Sequence, residues 1–255
     1  MRRVEGKHIL VTGASQGLGR QLALDFAREG AAGLALVARH GDLLHKVRED
    51  IRDLSPTTRV LALAADLGDE DAVERVAAAT LGEFRGRVDV LVNNASALGP
   101  SPMPLLLDYP AEDFRNVLNV NLVAPFLLIR KVLPAMLESG GSILNVTSDA
   151  GRVGYPQWGA YGISKFGLEG LSQTWAAETA ETGVRVNWVD PGNMNTAMHR
   201  AAEPEADPGQ WADPAQVTEV FLFLASDASR GVTGMRLVAQ EDWQAQVVHA
   251  AQERG

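Results

Sequence analysis

The sequence has no cysteine, which excludes disulfide bonds, thiolate catalysis and metal sites built from cysteine ligands. It is also short of positive charge, because 23 lysine and arginine residues face 32 aspartate and glutamate residues and leave a formal net charge of −9. An acidic surface repels phosphate backbones and anionic lipid headgroups. We therefore expect neither nucleic acid nor a membrane as a partner, and we predict no metal site.

Long hydrophobic runs are missing as well. No stretch approaches the about 20 apolar residues of a membrane span, and the apolar run before Gly13 is too short for a signal-peptide core. These absences predict a cytoplasmic protein. The 255 residues, 46% of them hydrophobic, suffice for one large α/β domain over residues 1–255, with its core at about 6–238 and a helical tail at 241–253.

Short aliphatic segments alternate with longer segments of helical period along most of the chain. Strands are predicted at residues 8–12, 33–38, 59–64, 88–92, 142–147 and 185–189. Helices are predicted at residues 17–29, 42–54, 70–84, 111–137 and 158–181. This order predicts an α/β fold with a doubly wound parallel sheet and helices on both faces, because each parallel strand is reached through a connection long enough to cross the sheet.

One long irregular segment, residues 193–213, carries prolines and mixed charge. Long loops in compact domains often cover binding sites, so this segment is a candidate substrate lid; the alternative is a disordered surface excursion. Asp213 and Pro214 have the residue types of a helix N-cap and first turn, which predicts a helix that runs to about Ala225.

The first predicted strand leads directly into a glycine-rich turn that opens the first helix. The turn reads Thr12-Gly13-Ala14-Ser15-Gln16-Gly17-Leu18-Gly19. Glycine permits a tight turn and the close approach of a pyrophosphate, and the N-terminus of the following helix favours a negative ligand. Such a turn can also serve helix-on-strand packing alone, so by itself it is a weak indication of a dinucleotide.

The end of the second strand is where an acidic residue would bind the ribose 2′-hydroxyl of NAD. Here the sequence reads Val37-Ala38-Arg39-His40, with no carboxylate. An arginine offers hydrogen bonds and positive charge to a 2′-phosphate, so Arg39 favours NADP(H) over NAD(H). The alternative is a solvated surface arginine.

Tyr161 and Lys165 are four residues apart, so they share one face of the helix predicted at residues 158–181. A free tyrosine titrates at about 10 and is a poor acid or base at neutral pH unless a nearby cation lowers its pKa. Ser148 ends a predicted strand, at the sheet edge where ligands gather, and could hold a substrate oxygen beside the phenol. The alternatives are an interfacial tyrosine, a solvated lysine and a turn serine.

Together these residues resemble the short-chain dehydrogenase/reductase family, and the resemblance extends from Gly6 to about Val238. The motifs that carry it are TGASQGLG at 12–19, Asp66-Leu67, NNA at 93–95, NVNL at 119–122, SILNVTS at 142–148, YGISK at 161–165 and DPGNMNT at 190–196. The resemblance implies a Rossmann-type sheet of about seven parallel strands. It also implies an NADP(H)-dependent oxidoreductase that interconverts a ketone or aldehyde and an alcohol.

The resemblance further implies roles for individual residues. Tyr161 would be the general acid/base, Lys165 would lower the tyrosine pKa and hold the nicotinamide ribose, and Ser148 would orient the carbonyl. Asn121 would link Lys165 to a water chain. The residues implied in cofactor binding are Gly13, Ser15, Gln16, Gly17, Leu18, Gly19, Arg39, Asp66, Leu67, Asn93, Ala95, Tyr161, Lys165, Pro191, Gly192, Met194 and Thr196.

The sequence departs from the family in two places: Ser96 stands where a glycine usually follows NNA, and residues 237–242 lack the paired glycines common near the C-terminus. Two functions are weighed. An enzyme is favoured because all four implied catalytic residues are present; the alternative is an NADP(H)-binding redox sensor without turnover. Reduction of a 3-oxoacyl thioester stays open, whereas the Tyr–Lys spacing disfavours reduction of an enoyl thioester.

A substrate pocket is predicted from residues 97–107, residues 149–158 and the loop after Met194. Its apolar members are Met103, Leu105, Val153, Tyr155, Trp158, Met194 and Met198, which suggest a moderately apolar small-molecule substrate. In the family, helices that match residues 111–137 and 158–181 often pack between subunits. The resemblance therefore implies a homodimer or homotetramer.

Overall fold

The computed structural model describes residues 2–253 and contains a sheet of seven parallel strands. The strands are β1 (His8–Thr12), β2 (Gly33–Ala38), β3 (Arg59–Ala64), β4 (Val90–Asn93), β5 (Gly141–Val146), β6 (Val184–Asp190) and β7 (Arg236–Val238). The helices are α1 (Gly17–Arg28), α2 (Gly41–Leu54), α3 (Glu70–Glu83), α4 (Ala111–Leu118), α5 (Ala124–Ser139), α6 (Gly159–Glu178), α7 (Ala197–Ala202), α8 (Glu219–Ala225) and α9 (Trp243–Glu253). The prediction of a doubly wound parallel sheet is confirmed.

The strands lie in the order β3-β2-β1-β4-β5-β6-β7, and each neighbouring pair is parallel. The first three strands wind outward in one direction from β1, and the last four wind in the other. At the centre, Leu10 of β1 faces Ala35 of β2 on one side and Leu91 of β4 on the other. In open sheets of this kind, ligands bind in the crevice outside the carboxyl ends of the strands at such a switch point.

Each face of the sheet has its own apolar core. On one face, Phe26 of α1 and Phe221 of α8 are fully buried, and on the other face Leu128 and Val132 of α5 are buried. All six residues of β2, with the sequence GLALVA, are buried. A parallel strand covered by helices on both sides reads as a continuous apolar run, which is why these strands could be predicted.

Helices α4 and α5 form one helical segment, joined by a π-helical turn at Asn119–Val123. By length and composition the segment Ala111–Ser139 could cross a membrane, so the expectation that no segment approaches this size is wrong on that measure. The segment nevertheless packs in the fold, because α5 contacts α3 and buries Leu128, Ile129 and Val132 in the core on the sheet. It is a core helix of this fold.

The helix predicted from Asp213 to about Ala225 is interrupted. Asp213 is an N-cap, as predicted, and its Oδ1 accepts a hydrogen bond from the backbone N–H of Ala215 at 2.8 Å. It opens only a 3₁₀ turn, Pro214–Gln216, and α8 begins later at Glu219. Val217 has φ −114° and ψ 3°, which ends the turn, and its side chain is buried in the core. The predicted helix is therefore interrupted at the residue whose side chain packs in the core.

Candidate active site

A cavity of about 970 Å³ lies at the carboxyl ends of the strands, across the switch point between β1 and β4. Residues at or directly after the end of every strand line it: Gly13, Arg39, Ala65, Asn94, Thr147, Pro191 and Val238. Single ligand pockets typically measure about 300–1,000 Å³. The cavity lies at the upper end of this range, which suits a large, extended ligand.

The glycine-rich turn forms one wall of the cavity, and its glycines are structurally required. Gly13 has φ +67° and Gly17 has φ +54°, which are backbone conformations that other residues rarely adopt. A Cβ atom at Gly19 would collide with the carbonyl oxygen of Gly13. The Asn94 side chain closes the turn, because its Nδ2 donates to the carbonyl oxygens of Thr12 at 2.9 Å and Gly13 at 3.2 Å.

The N-terminus of α1 is open towards the cavity. Its N-cap residue, Gln16, makes no side-chain capping hydrogen bond, and Ser15, Gly17 and Leu18 also line the wall. The first N–H groups of a helix have no partner within the helix, and they combine with the helix dipole to attract an anion. This part of the wall can therefore hold a pyrophosphate.

The outer end of the same wall carries Arg39, Asp66 and Leu67. Arg39 is exposed, and within residues 2–253 no carboxylate forms an ion pair with its guanidinium group. Asp66 is held by a short turn in which its Oδ1 accepts a hydrogen bond from the Gly68 N–H at 2.9 Å. An arginine that no carboxylate neutralises can bind a phosphate group at this position.

Tyr161 and Lys165 lie one turn apart on α6, and both line the cavity. Lys165 is only 3% exposed, and its Nζ donates to the carbonyl oxygen of Val146 at 2.8 Å. The same Nζ lies 5.3 Å from the centre of the Tyr161 ring. Trp158 packs edge-on against that ring, with 5.5 Å between the ring centres. The end of β5 and the start of α6 thus fix the phenol and the amine together.

Ser148 follows β5 and belongs to a row of hydrogen-bonded side chains along the cavity wall. Its Oγ donates to Oδ1 of Asp149 at 2.9 Å, and a hydrogen bond joins Ser148 to Tyr161. The other carboxylate oxygen of Asp149, Oδ2, accepts from the hydroxyl of Tyr155 at 3.0 Å. Two phenols, a hydroxyl and a carboxylate therefore stand together at this wall.

The pKa of Tyr161 responds to its burial, to Ser148 and to two nearby carboxylates. Burial raises the pKa of Tyr161, the hydrogen bond with Ser148 lowers it, and the carboxylates of Asp190 and Asp149 raise it; the net shift is upward. Burial lowers the pKa of Lys165 to about 8, while the Asp190 carboxylate acts in the opposite direction. Tyr161 is therefore a proton donor at neutral pH in this state of the protein.

A cluster of charged side chains lies beside this wall, and the sequence analysis did not find it. Arg236 of β7 pairs through Nε with Oε1 of Glu169 at 2.9 Å and through Nη2 with Oδ2 of Asp190 at 2.8 Å. Its Nη2 also donates to the carbonyl oxygen of Ser148 at 3.2 Å. Buried carboxylates need such compensation, so Arg236 joins β5, β6, β7 and α6 at the site. In the sequence, this cluster could have been suspected from Arg236, a charged residue beside two apolar ones in a short strand.

Residues 193–213, the candidate lid, form a closed loop at one side of the cavity. Met194 and Ala212 pair in a short parallel bridge that closes the base of the loop. Within the loop, α7 lines the cavity with Met198 and His199. The His199 ring packs edge-on against Trp211, with 4.4 Å between the ring centres, and burial lowers the pKa of this imidazole. The segment is therefore structured, which contradicts the alternative of a disordered excursion.

The segment after β7, which lacks the paired glycines, contributes Gln240 to the site. Its Nε2 donates to the carbonyl oxygens of Pro191 and Asn193, both at 2.9 Å. Gly192 lies between these two residues with φ +69°, and a Cβ atom there would come within 2.6 Å of the Gln240 amide. Gln240 thus ties the loop after β6 to the edge of the sheet.

A family model described as short chain dehydrogenase matches residues 7–207. The chain belongs to the short-chain dehydrogenase family. It is 37% identical to a 3-oxoacyl-(acyl-carrier-protein) reductase of Thermotoga maritima, over 91% of this chain and 95% of that protein. It is 35% identical to D-threitol dehydrogenase of Mycolicibacterium smegmatis, over 92% of each chain. A short chain dehydrogenase of Escherichia coli, solved in complex with NADPH, superimposes with a TM-score of 0.86 at 33% identity, over 94% of this chain and 100% of that one.

Most of the residues predicted for the site of this short-chain dehydrogenase do line the cavity. They are Gly13, Ser15, Gln16, Gly17, Leu18, Arg39, Asp66, Leu67, Ala95, Ser148, Tyr161, Lys165, Pro191, Gly192, Met194 and Thr196. Three others, Gly19, Asn93 and Asn121, are buried and do not line it. The family resemblance thus predicted where these residues lie better than composition or periodicity could.

Asn93 and Asn121 have structural partners instead. Asn93 donates from Nδ2 to Oδ1 of Asn145 at 2.8 Å, in the middle of the sheet. The Asn121 side chain accepts from the backbone N–H of Ala97 at 2.7 Å and donates to its carbonyl oxygen and to Oγ of Ser164, both at 2.9 Å. The link from Asn121 to Lys165 through a water chain stays a prediction.

The substrate end of the cavity is more polar than the sequence suggested. Val153, Tyr155, Trp158, Met194 and Met198 line it as predicted, but Met103 and Leu105 do not. Charged or ionisable side chains on this wall include Asp149, Arg152, His199 and Glu203. Chain segments that are distant in sequence deliver them, so periodicity gave no sign of them.

Proposed function

We propose that this short-chain dehydrogenase is an NADP(H)-dependent oxidoreductase that interconverts a ketone or aldehyde and an alcohol, with Tyr161 as general acid/base. One observation carries the proposal. Tyr161, its partner Ser148 and the buried Lys165 share a cavity with the glycine-rich turn. Proton transfer and dinucleotide binding can therefore take place in the same space.

The cavity wall fits a dinucleotide with an additional phosphate. The turn at Gly13 leaves no room for a side chain, and the uncapped start of α1 offers N–H groups to a pyrophosphate. Arg39 at the outer end has no carboxylate ion-pair partner within the described chain, which suits a 2′-phosphate. The related Escherichia coli structure with NADPH supports the same choice.

When bound, the nicotinamide supplies the hydride in reduction and accepts it in oxidation. Ser148 holds the substrate oxygen, and Tyr161 transfers its phenolic proton to that oxygen as the carbonyl is reduced. In the reverse direction Tyr161 takes the proton from the alcohol. Lys165, fixed by the carbonyl of Val146, places its positively charged amine beside the phenol and would hold the nicotinamide ribose when the cofactor is bound.

The test is a titration with NADPH and with NADH, followed by nicotinamide fluorescence, together with turnover on a panel of ketones, aldehydes and diketones. We expect tighter NADPH binding, and a loss in kcat/KM of about 10²- to 10⁴-fold in Tyr161→Phe, because the general acid is removed. Tyr109→Phe is the matched control, since the buried Tyr109 hydroxyl has no hydrogen-bond partner within residues 2–253 and does not line the cavity.

The competing function is a redox sensor that binds NADP(H) without turnover. Tight NADPH binding, with no oxidation of NADPH on any carbonyl compound and no effect of Tyr161→Phe, would favour the sensor. A preference for NADH would instead contradict the role proposed for Arg39.

A further inference from the structure

Asp149 is the feature of the cavity that the general reaction leaves unused. It directly follows Ser148, its side chain is exposed, and it lines the substrate end of the cavity. Its Oδ1 accepts hydrogen bonds from Ser148 Oγ at 2.9 Å and from the Ala150 N–H at 2.8 Å, and its Oδ2 accepts from the Tyr155 hydroxyl at 3.0 Å. Hydrogen bonds to both of its oxygens therefore hold the carboxylate in one orientation.

The Asp149 carboxylate has no ion-pair partner in the described part of the chain and has a place for one more hydrogen-bond donor. Within residues 2–253 no lysine, arginine or histidine forms an ion pair with it. An ionised carboxylate offers about four acceptor sites, and the three hydrogen bonds leave one of these on Oδ2. A ligand group placed here must be a hydrogen-bond donor, because a carbonyl, an ester oxygen or an anion would be repelled.

The distance from the reacting oxygen decides which donor fits. In the proposed reaction the substrate oxygen lies against Ser148 and Tyr161, and Asp149 stands one hydrogen bond beyond Ser148. Oxygens on two adjacent carbon atoms are separated by about one hydrogen-bond length. Ser148 has a single hydroxyl proton, so when it donates that proton to the substrate oxygen it frees the acceptor site on Oδ1 of Asp149. A hydroxyl on the carbon next to the reacting carbon can then donate to Asp149 while the reacting oxygen stays at Ser148 and Tyr161.

The lid adds a second polar group at this end. His199 of α7 interacts electrostatically with Asp149, and its buried Nε2 has no hydrogen-bond partner in the described part of the chain, although Oε1 of Glu203 lies 3.9 Å away. Its ring is fixed against Trp211. A substrate with several hydroxyl groups suits this wall better than an unsubstituted hydrocarbon ketone does.

We propose that Asp149 is a specificity-determining residue that binds a hydroxyl on the carbon adjacent to the reacting carbon. The substrates are then α-hydroxy carbonyl compounds and the vicinal diols to which they are reduced. In reduction the hydride forms the new C–H bond, the C=O double bond becomes a single bond, and its oxygen takes the proton of Tyr161, which solvent replaces. The neighbouring hydroxyl keeps its proton and donates a hydrogen bond to Asp149. This inference rests on the function proposed above and names its substrate class.

The test compares kcat/KM with NADPH for 3-hydroxybutan-2-one and for butan-2-one, which differ only in that hydroxyl. A hydrogen bond to a charged group predicts a preference of about tenfold to hundredfold for the hydroxyketone in the unmodified protein. We expect Asp149→Asn to reduce this ratio, since the acceptor remains but the charge is lost, and Asp149→Ala to bring it close to one. Asp71→Asn is the control, because Asp71 is also exposed but lies at the start of α3, outside the cavity wall.

Three results would separate this inference from the proposed function. Equal turnover of the two ketones, or the same preference in Asp149→Ala, would overturn the role of Asp149 while turnover that requires Tyr161 would stand. Faster turnover of a 3-oxoacyl thioester than of the hydroxyketone would also overturn it, since the second oxygen of that substrate is an acceptor. If no carbonyl compound is turned over in a reaction that requires Tyr161, the proposed function itself fails.

Discussion

The two halves of the cavity are built from different parts of the polypeptide. At the ends of β1 to β4 the wall is mainly backbone: the turn at Gly13, the uncapped start of α1 and Ala95. At the ends of β5 to β7 it is made of side chains, such as Asp149 and His199, whose charges and rings depend on contacts with other segments. A backbone wall suits a ligand with a fixed phosphate geometry, whereas a side-chain wall can differ among relatives.

The relatives illustrate the difference. Two relatives whose sequence identities to this chain are similar carry different names, one as a 3-oxoacyl-(acyl-carrier-protein) reductase and the other as D-threitol dehydrogenase. Overall similarity therefore identifies the family but not the substrate, and we propose that a few side chains in the second half decide it. The following predictions test whether the two halves act as separately as their construction indicates.

The largest predicted effect concerns Lys165, which stands where the halves meet. Burial lowers the pKa of its amine from the ordinary value of 10.5 to about 8. The buried charge therefore lowers the free energy of unfolding to its full extent below pH 8, and this loss of stability disappears above about pH 10.5. This difference corresponds to about 3 kcal/mol. Lys165→Met should therefore raise the free energy of unfolding of the ligand-free protein at neutral pH, by up to that amount, although it removes the charge proposed for catalysis.

Urea unfolding at neutral and at strongly alkaline pH measures this effect. The stability gain should shrink as the pH rises from 8 towards 10.5. Lys46→Met, an exposed position on α2, should show no such dependence on pH. A Lys165→Met protein that is less stable than the parent at neutral pH would show that the hydrogen bond to Val146 outweighs the burial of the charge.

The second prediction tests only the half of the cavity at the ends of β1 to β4, where the cofactor is proposed to bind. Arg39→Ala should weaken NADPH binding relative to NADH by about tenfold to hundredfold, the range expected for loss of hydrogen bonds to a charged group. The ratio of the two dissociation constants, from fluorescence titration, is the measurement. Arg48→Ala on α2 is the control, since Arg48 is exposed and does not line the cavity. The substrate preference should not change, and a change would contradict the separation of the two halves.

The third prediction uses the pH dependence of turnover to test the half of the cavity at the ends of β5 to β7, where the substrate is proposed to bind. Alcohol oxidation requires Tyr161 without its proton, so its rate rises with pH, and the carboxylates of Asp190 and Asp149 raise the Tyr161 pKa. Asp190 is paired with Arg236 and also faces Lys165, whereas Asp149 is exposed. Asp149→Asn should therefore move the rising part of the kcat/KM profile to lower pH, and Asp71→Asn should leave the profile in place.

The pH measurement also includes the other charged or ionisable groups that line the cavity near Tyr161, which are Arg152, Tyr155, Lys165, Asp190, His199, Glu203, Arg236 and Glu241. These groups are the same in the parent and in the variant, so a difference between the two profiles reports on Asp149. An unchanged profile in Asp149→Asn would mean that the Asp149 charge does not reach the phenol.

The smallest predicted effect concerns the loop after β6. Gln240→Ala removes two hydrogen bonds to the backbone of Pro191 and Asn193, each worth about 1 kcal/mol. We expect the dissociation constant of NADPH to rise by less than about tenfold, because the bonds hold the loop and not the cofactor. Gln244→Ala on the exposed side of α9 is the comparison. A loss of turnover without a change in binding would contradict this role.

Much of the fold follows from local pattern. The apolar runs of β1 to β6 and the period of the helices predicted their positions to within a few residues, since buried parallel strands are apolar on both faces. The prediction was wrong at Val217, where the burial of one side chain accompanies a break in the helix, and for the long segment at residues 111–139, which a search for uninterrupted apolar runs misses. The homo-oligomer and the cytoplasmic location stay predictions.

The sequence by itself determined the family, the glycine turn, Arg39 and the Tyr161–Lys165 pair, because these depend on residue type at short spacing. Only the tertiary structure decided that Asn121 bonds to Ala97, that Arg236 neutralises Asp190, and that Asp149 and His199 meet at one wall. Such pairings join segments that lie tens of residues apart. Their energies depend on burial and distance in space, and neither quantity is present in the order of residues along the chain.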